Sequence, residues 1–299
     1  MKKYNKWILT LLFSLLIVAC VDNPIDKEQY KKEIYLVGGY DRVLPVDVNY
    51  SMDESEFFFT VTSSGSKNLD VDVAVSMVVD TELVDTYNQK FLGILNKDRY
   101  FKQLDQAKFR IPSLENVVIK HQEEIYARVP VFVDTQTIEP DSAYVIPVRI
   151  TGVSDYEVNQ SGEKMLIELK MKNKYAEAYQ LNGTREEGEN EVRRIQKVKN
   201  LKAVSHNAVR LFYGVENELK ENIMDNTLVI TLLDDKVGDS ETLFKVEVTP
   251  WADLALSEGS GTYDSQLKEF KISYKVNEGG TEVTYHETLK RNEDEHQRE

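Results

Sequence analysis

The sequence predicts a mainly β protein: an N-terminal β-sandwich with one inserted helix, then an antiparallel meander curling into a calycin/lipocalin-like barrel. Three observations carry this expectation. From Glu33 onward apolar residues recur with period two, as where Val71, Val73 and Val75 alternate with Asp70, Asp72 and Ala74, the mark of strands with one wet face. Helical spacing interrupts that period once, between Asp80 and Gly93. The 299 residues, 41% hydrophobic and 29% charged, suit one or two globular domains rather than a disordered or multi-spanning chain.

The first element is a leader. Lys2, Lys3 and Lys6 precede an apolar run, Trp7–Ala19, broken only by Thr10 and Ser14. A basic start and a short apolar run make residues 1–19 a secretory signal. The run falls short of the ~20 apolar residues that a transmembrane helix needs. It ends at Ile17-Val18-Ala19-Cys20, which resembles a bacterial lipobox. In that class the peptide is cut before the cysteine and the thiol is diacylated, and two acyl chains suffice for stable anchoring. The alternative is a plain secretory signal whose cleavage site precedes a cysteine. Cys20 is the one cysteine of the chain, so an internal disulfide and a multi-thiolate metal site are excluded. Residues 20–32, with Pro24 and several charges, then read as a lipidated tether.

The chain has 37 basic and 51 acidic residues, a net charge of −14; losing Lys2, Lys3 and Lys6 with the signal lowers it by three, to −17. Such acidity argues against general nucleic-acid binding, which needs Lys and Arg to neutralise phosphates. It also argues against adsorption to anionic lipid through basic patches, which leaves the lipid as the anchor.

Residues 33–173 hold the expected sandwich. Phe57–Val61, Val71–Val75, Ile125–Val133, Tyr144–Ile150 and Met165–Met171 read as strands. Pro130 and Pro147 belong at edges or bulges, because proline cannot donate to a ladder. Asp80 or Thr81 caps a helix whose apolar stripe is Leu83, Val84, Tyr87 and Phe91, closed by Gly93 and packed on a sheet end. Roughly seven strands over ~140 residues suit a sandwich.

Residues 174–292 hold the expected barrel. The stretch from Asn173 to Asn190 reads as a polar link. Strands then recur at Val192–Val198, Val209–Tyr213, Leu228–Leu233, Leu243–Val248, Phe270–Val276 and Val283–Leu289. The clearest sets Phe270, Ile272, Tyr274 and Val276 on one face and Lys271, Ser273 and Lys275 on the other. Asn277–Gly280 turns into the last strand. Six to eight such strands in ~125 residues suit a small barrel or a strongly curled sheet, with a second sandwich as the alternative. The charged tail, 293–299, is expected to fray.

The strings along this chain resemble a known module pair. Asp141-Ser-Ala-Tyr-Val-Ile-Pro-Val-Arg-Ile-Thr151 is similar to the most characteristic strand of domain of unknown function 1735. Val71–Val79, the helix, Phe109–Pro112 and Val117–Ile119 follow the same module in the same order. Gly261–Asp264, Phe270–Tyr274 and Glu287–Arg291 resemble its frequent companion, domain of unknown function 4361. The resemblance implies a Bacteroidota surface lipoprotein, commonly encoded beside outer-membrane glycan-uptake systems, with a calycin-like C-terminal domain. The N-terminal module also occurs on secreted glycoside hydrolases. One departure is the segment Val21–Asp26, whose acids are scattered where surface-exported relatives often carry a tighter acidic run.

Candidate sites follow. His121, His206, His286 and His296 show no His-x-x-x-His spacing, and the chain has no Gly-x-Ser-x-Gly elbow or Walker loop. Adjacent acids such as Glu186-Glu187 point to opposite faces of a strand and make poor glycosidase pairs. No cofactor or metal site is expected; the acidic run Asp234–Glu241 reads as a solvated hairpin loop, with calcium the lesser alternative. Sugar rings stack on aromatic faces, so Trp251, the one tryptophan left after the signal, is a tentative glycan contact with Tyr213, Tyr263 and Asp264. The competing role for Trp251 is to plug the barrel end, and Tyr274 and Tyr285 read as core. Asp141-Ser142-Ala143 resembles the Bacteroidota O-glycosylation motif, with Ser142 the acceptor. The expected protein is therefore a non-catalytic outer-membrane lipoprotein, facing outward, that binds a polysaccharide or oligosaccharide or supports its uptake beside transport partners. A structural or adhesin-like protein with a protein partner is the alternative, and an unrecognised glycan hydrolase the third.

Overall fold

Period-two patterning sorts the chain into two consecutive β-structures. The computed structural model of the protein describes residues 28–40, 42–121, 124–188 and 191–292. Cys20, the signal and the tail 293–299 lie outside the described residues.

In the first domain the strands are β1 (Glu33–Leu36), β2 (Val43–Asn49), β3 (Ser55–Ser63), β4 (Val73–Val79), β5 (Lys102–Gln103) and β6 (Phe109–Arg110). They continue with β7 (Val117–Ile119), β8 (Tyr126–Val133), β9 (Tyr144–Val153), β10 (Glu157–Val158) and β11 (Lys164–Lys172). One sheet has the order β10–β1–β3–β8–β6 and the other β2–β11–β9–β4–β7, with β5 beside β9. Phe57, Phe59 and Val61 of β3 and Val129, Val131 and Val133 of β8 face Val73, Val75 and Met77 of β4 and Ile146, Val148 and Ile150 of β9 across one dry core. This is the sandwich the alternation predicts.

The two prolines differ. Pro130 pairs with Phe58 of β3, and on the other side β8 is covered only at Val133 and Phe132 by β6, so it lies on an open stretch of edge. Pro147 sits inside the sheet, opposite Leu166 of β11. Its carbonyl accepts the Asp80 N–H, and a residue's N–H and C=O face the same side of a strand. Its missing donor therefore falls in the gap where β4 ends at Val148 and β5 begins at Val145. A break between two partner strands replaces the expected edge.

The helix α1 (Glu82–Tyr87) runs into a single π-helical turn, Asn88–Leu92, ended by Gly93 at φ 73°. Its stripe does not cap a sheet end. Val84 packs with Val145 and Leu166, joined by Val43, Leu83, Tyr87 and Phe101, on the outer face of the β2–β11–β9 sheet. The Asn88 amide donates to the Phe101 carbonyl at 2.9 Å and accepts its N–H at 3.0 Å, which ties the turn down.

The second domain has β12 (Ala178–Glu187), β13 (Glu191–Asn200), β14 (Lys202–Ala203), β15 (Ala208–Phe212), β16 (Thr227–Lys236), β17 (Leu243–Pro250), β18 (Leu256–Asp264), β19 (Glu269–Glu278) and β20 (Thr281–Arg291). Each pairs antiparallel with the next, except that β13 and β14 are two parts of one strand, and β20 returns to pair with β12. First and last strands meet, so the meander curls into a barrel-like sheet whose two ends, β13 and β14, adjoin in the chain at Leu201. Two strands stand where the sequence reads link or loop. β12 occupies the polar link, and β18 leaves only a short turn after Trp251. Both carry inward glycines at close approaches: a Cβ on Gly183 would lie 2.3 Å from the His286 carbonyl, and one on Gly261 2.2 Å from that of Lys271. Glycine there lets the wall bend and hides the strand pattern.

Asn173 joins the domains. Its amide donates to the Ser205 and Ala208 carbonyls, and its oxygen accepts the N–H groups of Tyr175 and Ala176. At the other end of the sandwich, residues 28–32 of the expected tether are docked. The Glu28 carboxylate accepts from the Ser66 N–H, the Ser66 hydroxyl and the Lys67 N–H, and those bonds pull its pKa down to about 2. Lys32 reaches Asp70 at 3.0 Å and the Asn68 carbonyl at 2.7 Å. Any free tether must therefore end before Glu28.

Candidate functional site

The sequence-derived site residues separate in the fold. Tyr263 points into the barrel, packed against Phe270 at 4.5 Å and Tyr175 at 5.2 Å between ring centroids. Tyr213 is buried beside Tyr285 at 5.6 Å. Neither offers a face to a ligand, because alternation on β18, and at the residue just past β15, sends both inward. Asp264 accepts the N–H groups of Gln266 and Leu267 and so organises the turn before β19. The Ser142 hydroxyl accepts from Lys102 at 2.7 Å and donates to Glu139 at 2.8 Å.

Trp251 is part of a latch between the domains. The Arg210 guanidinium lies over its ring at 4.7 Å. Arg210 grips both oxygens of Asp141 at 2.6 Å, and Lys202 adds a contact at 3.0 Å. The Arg210 side chain is 4% exposed, so a paired carboxylate is needed to hold it there. Despite partial burial, these cations pull the Asp141 pKa down to about 2. One face of the ring is thus committed to an intramolecular cation.

Inside the barrel, the Tyr274 hydroxyl donates to Glu287 at 2.7 Å and accepts the Gly214 N–H at 2.9 Å. Lys199 donates to the Phe212 carbonyl at 2.9 Å. Burial pushes Glu287 up and Lys199 down, each toward its neutral form. The surrounding Leu181, Leu211, Ile230, Val246, Ile272 and Val283 fill the interior.

Among the described residues, an open groove lies on the sandwich. With a volume of about 530 Å³, it runs between α1 with its π-turn and the β1–β2 and β10–β11 turns; Tyr40, Arg42, Tyr87, Lys90, Phe91, Gln160, Ser161 and Lys164 line it. Its volume falls within the ~300–1,000 Å³ common for ligand sites. Two glycines bring the turns together. A Cβ on Gly39 would meet the Gly162 carbonyl at 2.9 Å, and one on Gly162 would meet Tyr35 at 2.8 Å. Asn159 ties the second turn through the Ser161 and Gly162 N–H groups. Tyr40 is 54% exposed and rests edge-on against Tyr35. Phe91 is 45% exposed, 4.8 Å from Tyr87. The wider π-turn explains that exposure, since it rotates Phe91 out of the buried stripe of Val84. The Arg42 guanidinium stacks over Phe91 at 4.3 Å, and Lys90 approaches the same ring at 5.4 Å. Arg42 holds the left-handed conformation, φ 67°, which non-glycine residues adopt seldom and often at functional sites.

Sequence reasoning missed this groove. Phe91 matches a core stripe, and Tyr40 is one tyrosine among 16. The signal was Gly38-Gly39 before Tyr40, a turn that forces an aromatic outward.

A family model described as an N-terminal domain matches residues 30–157, and one described as a C-terminal domain matches residues 163–290. The chain belongs to the class of two-domain proteins that join these modules. Among solved structures, a Bacteroides ovatus protein of unknown function is similar at TM-score 0.60 and 13% identity, over 88% of this chain and 95% of that one. A B. ovatus multidomain protein including domain of unknown function 1735 matches at TM-score 0.54 and 14% identity, over 83% and 89%. An auxiliary nutrient binding protein from Bacteroides thetaiotaomicron matches at TM-score 0.55 and 13% identity, over 84% and 91%. These agree with the resemblance read from the motif strings, and at such identity they establish a shared fold. No curated protein matches the chain.

Proposed function

We propose that the protein is a non-catalytic glycan-binding lipoprotein, held by acylated Cys20 on the outer membrane and facing outward, that captures oligosaccharide for uptake. The observation that supports it is the sandwich groove. Tyr40 offers an exposed ring for sugar C–H faces, and Gln160 and Ser161 offer hydrogen bonds to hydroxyls. The nutrient-binding description of one structural relative points the same way.

The test is affinity electrophoresis of the purified protein through gels of different polysaccharides. At least one polysaccharide should retard it, and Tyr40→Ala should restore free migration without lowering the melting temperature. Retardation by none, across a broad glycan array, contradicts the reading, as does release of product from any of them. Cys20→Ala should move the protein from the membrane to the soluble fraction; unchanged fractionation contradicts the anchor.

A protein partner is the second reading, favoured by Ile94 and Leu95, 73% and 96% exposed just beyond Phe91. It predicts that Leu95→Ser abolishes co-purification with an outer-membrane transport partner while glycan retention is unchanged.

A further inference from the structure

We infer that the ligand of the sandwich groove is an acidic sugar, whose carboxylate or sulfate sits between Arg42 and Lys90. This deepens the glycan-binding reading and rests on it. The chain carries −14 overall, yet the groove is lined by Arg42, Lys90 and Lys164 and by no described acid. Lys164 is partly neutralised by Glu163 at 3.6 Å. Arg42 and Lys90 differ: among the described residues, neither side chain makes an ion pair or hydrogen bond, and both converge on the one ring of Phe91.

Two cations lie within 5.4 Å of the same ring with no described acid beside either, so an anion in the groove meets both. The geometry suits an anion for two further reasons. Arg42 rests over Phe91 with its guanidinium N–H groups unpaired among the described residues, and a guanidinium takes a carboxylate or sulfate in bidentate fashion. The left-handed backbone at Arg42 is set by the turn whose Arg42 N–H reaches the Gly39 carbonyl at 3.1 Å, and whose Arg42 carbonyl accepts the Leu166 N–H at 2.7 Å. A strained position occupied by arginine, where glycine fits without strain, is a placement of charge. Tyr40 lines the same groove and supplies the aromatic face that distinguishes a sugar acid from a bare anion.

Short probes test this, because the acidic surface as a whole repels long polyanions. Titration calorimetry compares trigalacturonate, galactose 6-sulfate, galactotriose, triglutamate and sodium sulfate. Trigalacturonate or galactose 6-sulfate should bind at least tenfold more tightly than galactotriose. Raising salt should weaken that preference, as should the double variant Arg42→Gln/Lys90→Gln, which should reduce it to below threefold. Tyr40→Ala should weaken the sugar acids while leaving inorganic sulfate unchanged. Galactotriose binding as tightly as the sugar acids, or a preference untouched by the double variant, overturns this inference and leaves the glycan reading standing. Triglutamate or sulfate binding as tightly as the sugar acids overturns the sugar part. Silence toward all probes, together with no retardation by any polysaccharide, overturns both.

Discussion

Asp141→Asn removes one charge from the latch between the domains and leaves the shape nearly unchanged. Arg210 then stays almost fully buried against Trp251 with no carboxylate to pair it. Breaking a buried pair from one side costs about 3–5 kcal/mol, and the partial exposure of Asp141 lowers that to about 2–3 kcal/mol. The depressed acidity gives a similar figure. Holding Asp141 at about 2 instead of 3.8 links about 2 kcal/mol of stability to its ionisation. For unfolding units of this size the melting temperature should fall by about 4–12 °C. Calorimetric melts of both proteins at neutral pH read this directly. The pKa is lowered in the folded state, so the stabilisation is fully present above about pH 4 and disappears as pH falls toward about 2. The gap between wild type and variant should narrow over that window. Replacing both partners, Asp141→Leu with Arg210→Met, should recover most of the loss, since apolar substitutes for a buried pair are often neutral. A melt of Asp141→Asn within about 1 °C of wild type, corresponding to under ~0.5 kcal/mol, refutes the latch.

Three further outcomes follow from the same geometry. Gly183→Val drives a side chain into the β20 backbone at the seam of the barrel, and should cost more than about 3 kcal/mol or abolish soluble expression, read by denaturant unfolding. Asn173→Ala loses the amide bonds at the domain joint and leaves buried backbone groups unpaired; it should cost about 2–4 kcal/mol in the same assay. Trp251→Ala uncovers one side of Arg210 and should cost about 1–2 kcal/mol, visible as a small drop in melting temperature.

What the sequence made legible follows from where contrast is strongest. Phe270–Val276 was readable because every inward residue is large and apolar and most outward ones are polar. β12 was not, because its inward positions include Gly183, required by close approach to β20, and end in Arg185 and Glu187, which breaks the apolar alternation. β18 was hidden in the same way by Gly259 and Gly261. The pairing of β11 with β2 is parallel and joins residues far apart in the chain, and no local pattern marks it. The candidate site was less legible than the fold. Trp251 drew attention by its rarity, but its partner is Arg210, an outward residue of β15 that a carboxylate from the other domain holds in place. Tyr263 and Tyr213 lie at strand ends, where alternation alone decides whether an aromatic faces core or solvent. Phe91 has the spacing of a buried residue, and only the π-turn turns it outward.

The central claim is that the sandwich groove, and not the barrel aromatics, takes the ligand. The most direct measurement compares Phe91→Ala with Trp251→Ala in one calorimetric titration, using whichever glycan retards the wild-type protein. Losing the groove ring against which Arg42 rests should weaken binding by roughly tenfold or more, about 1.4 kcal/mol, while Trp251→Ala binds as wild type does. Undiminished binding by Phe91→Ala, with loss in Trp251→Ala, contradicts the account.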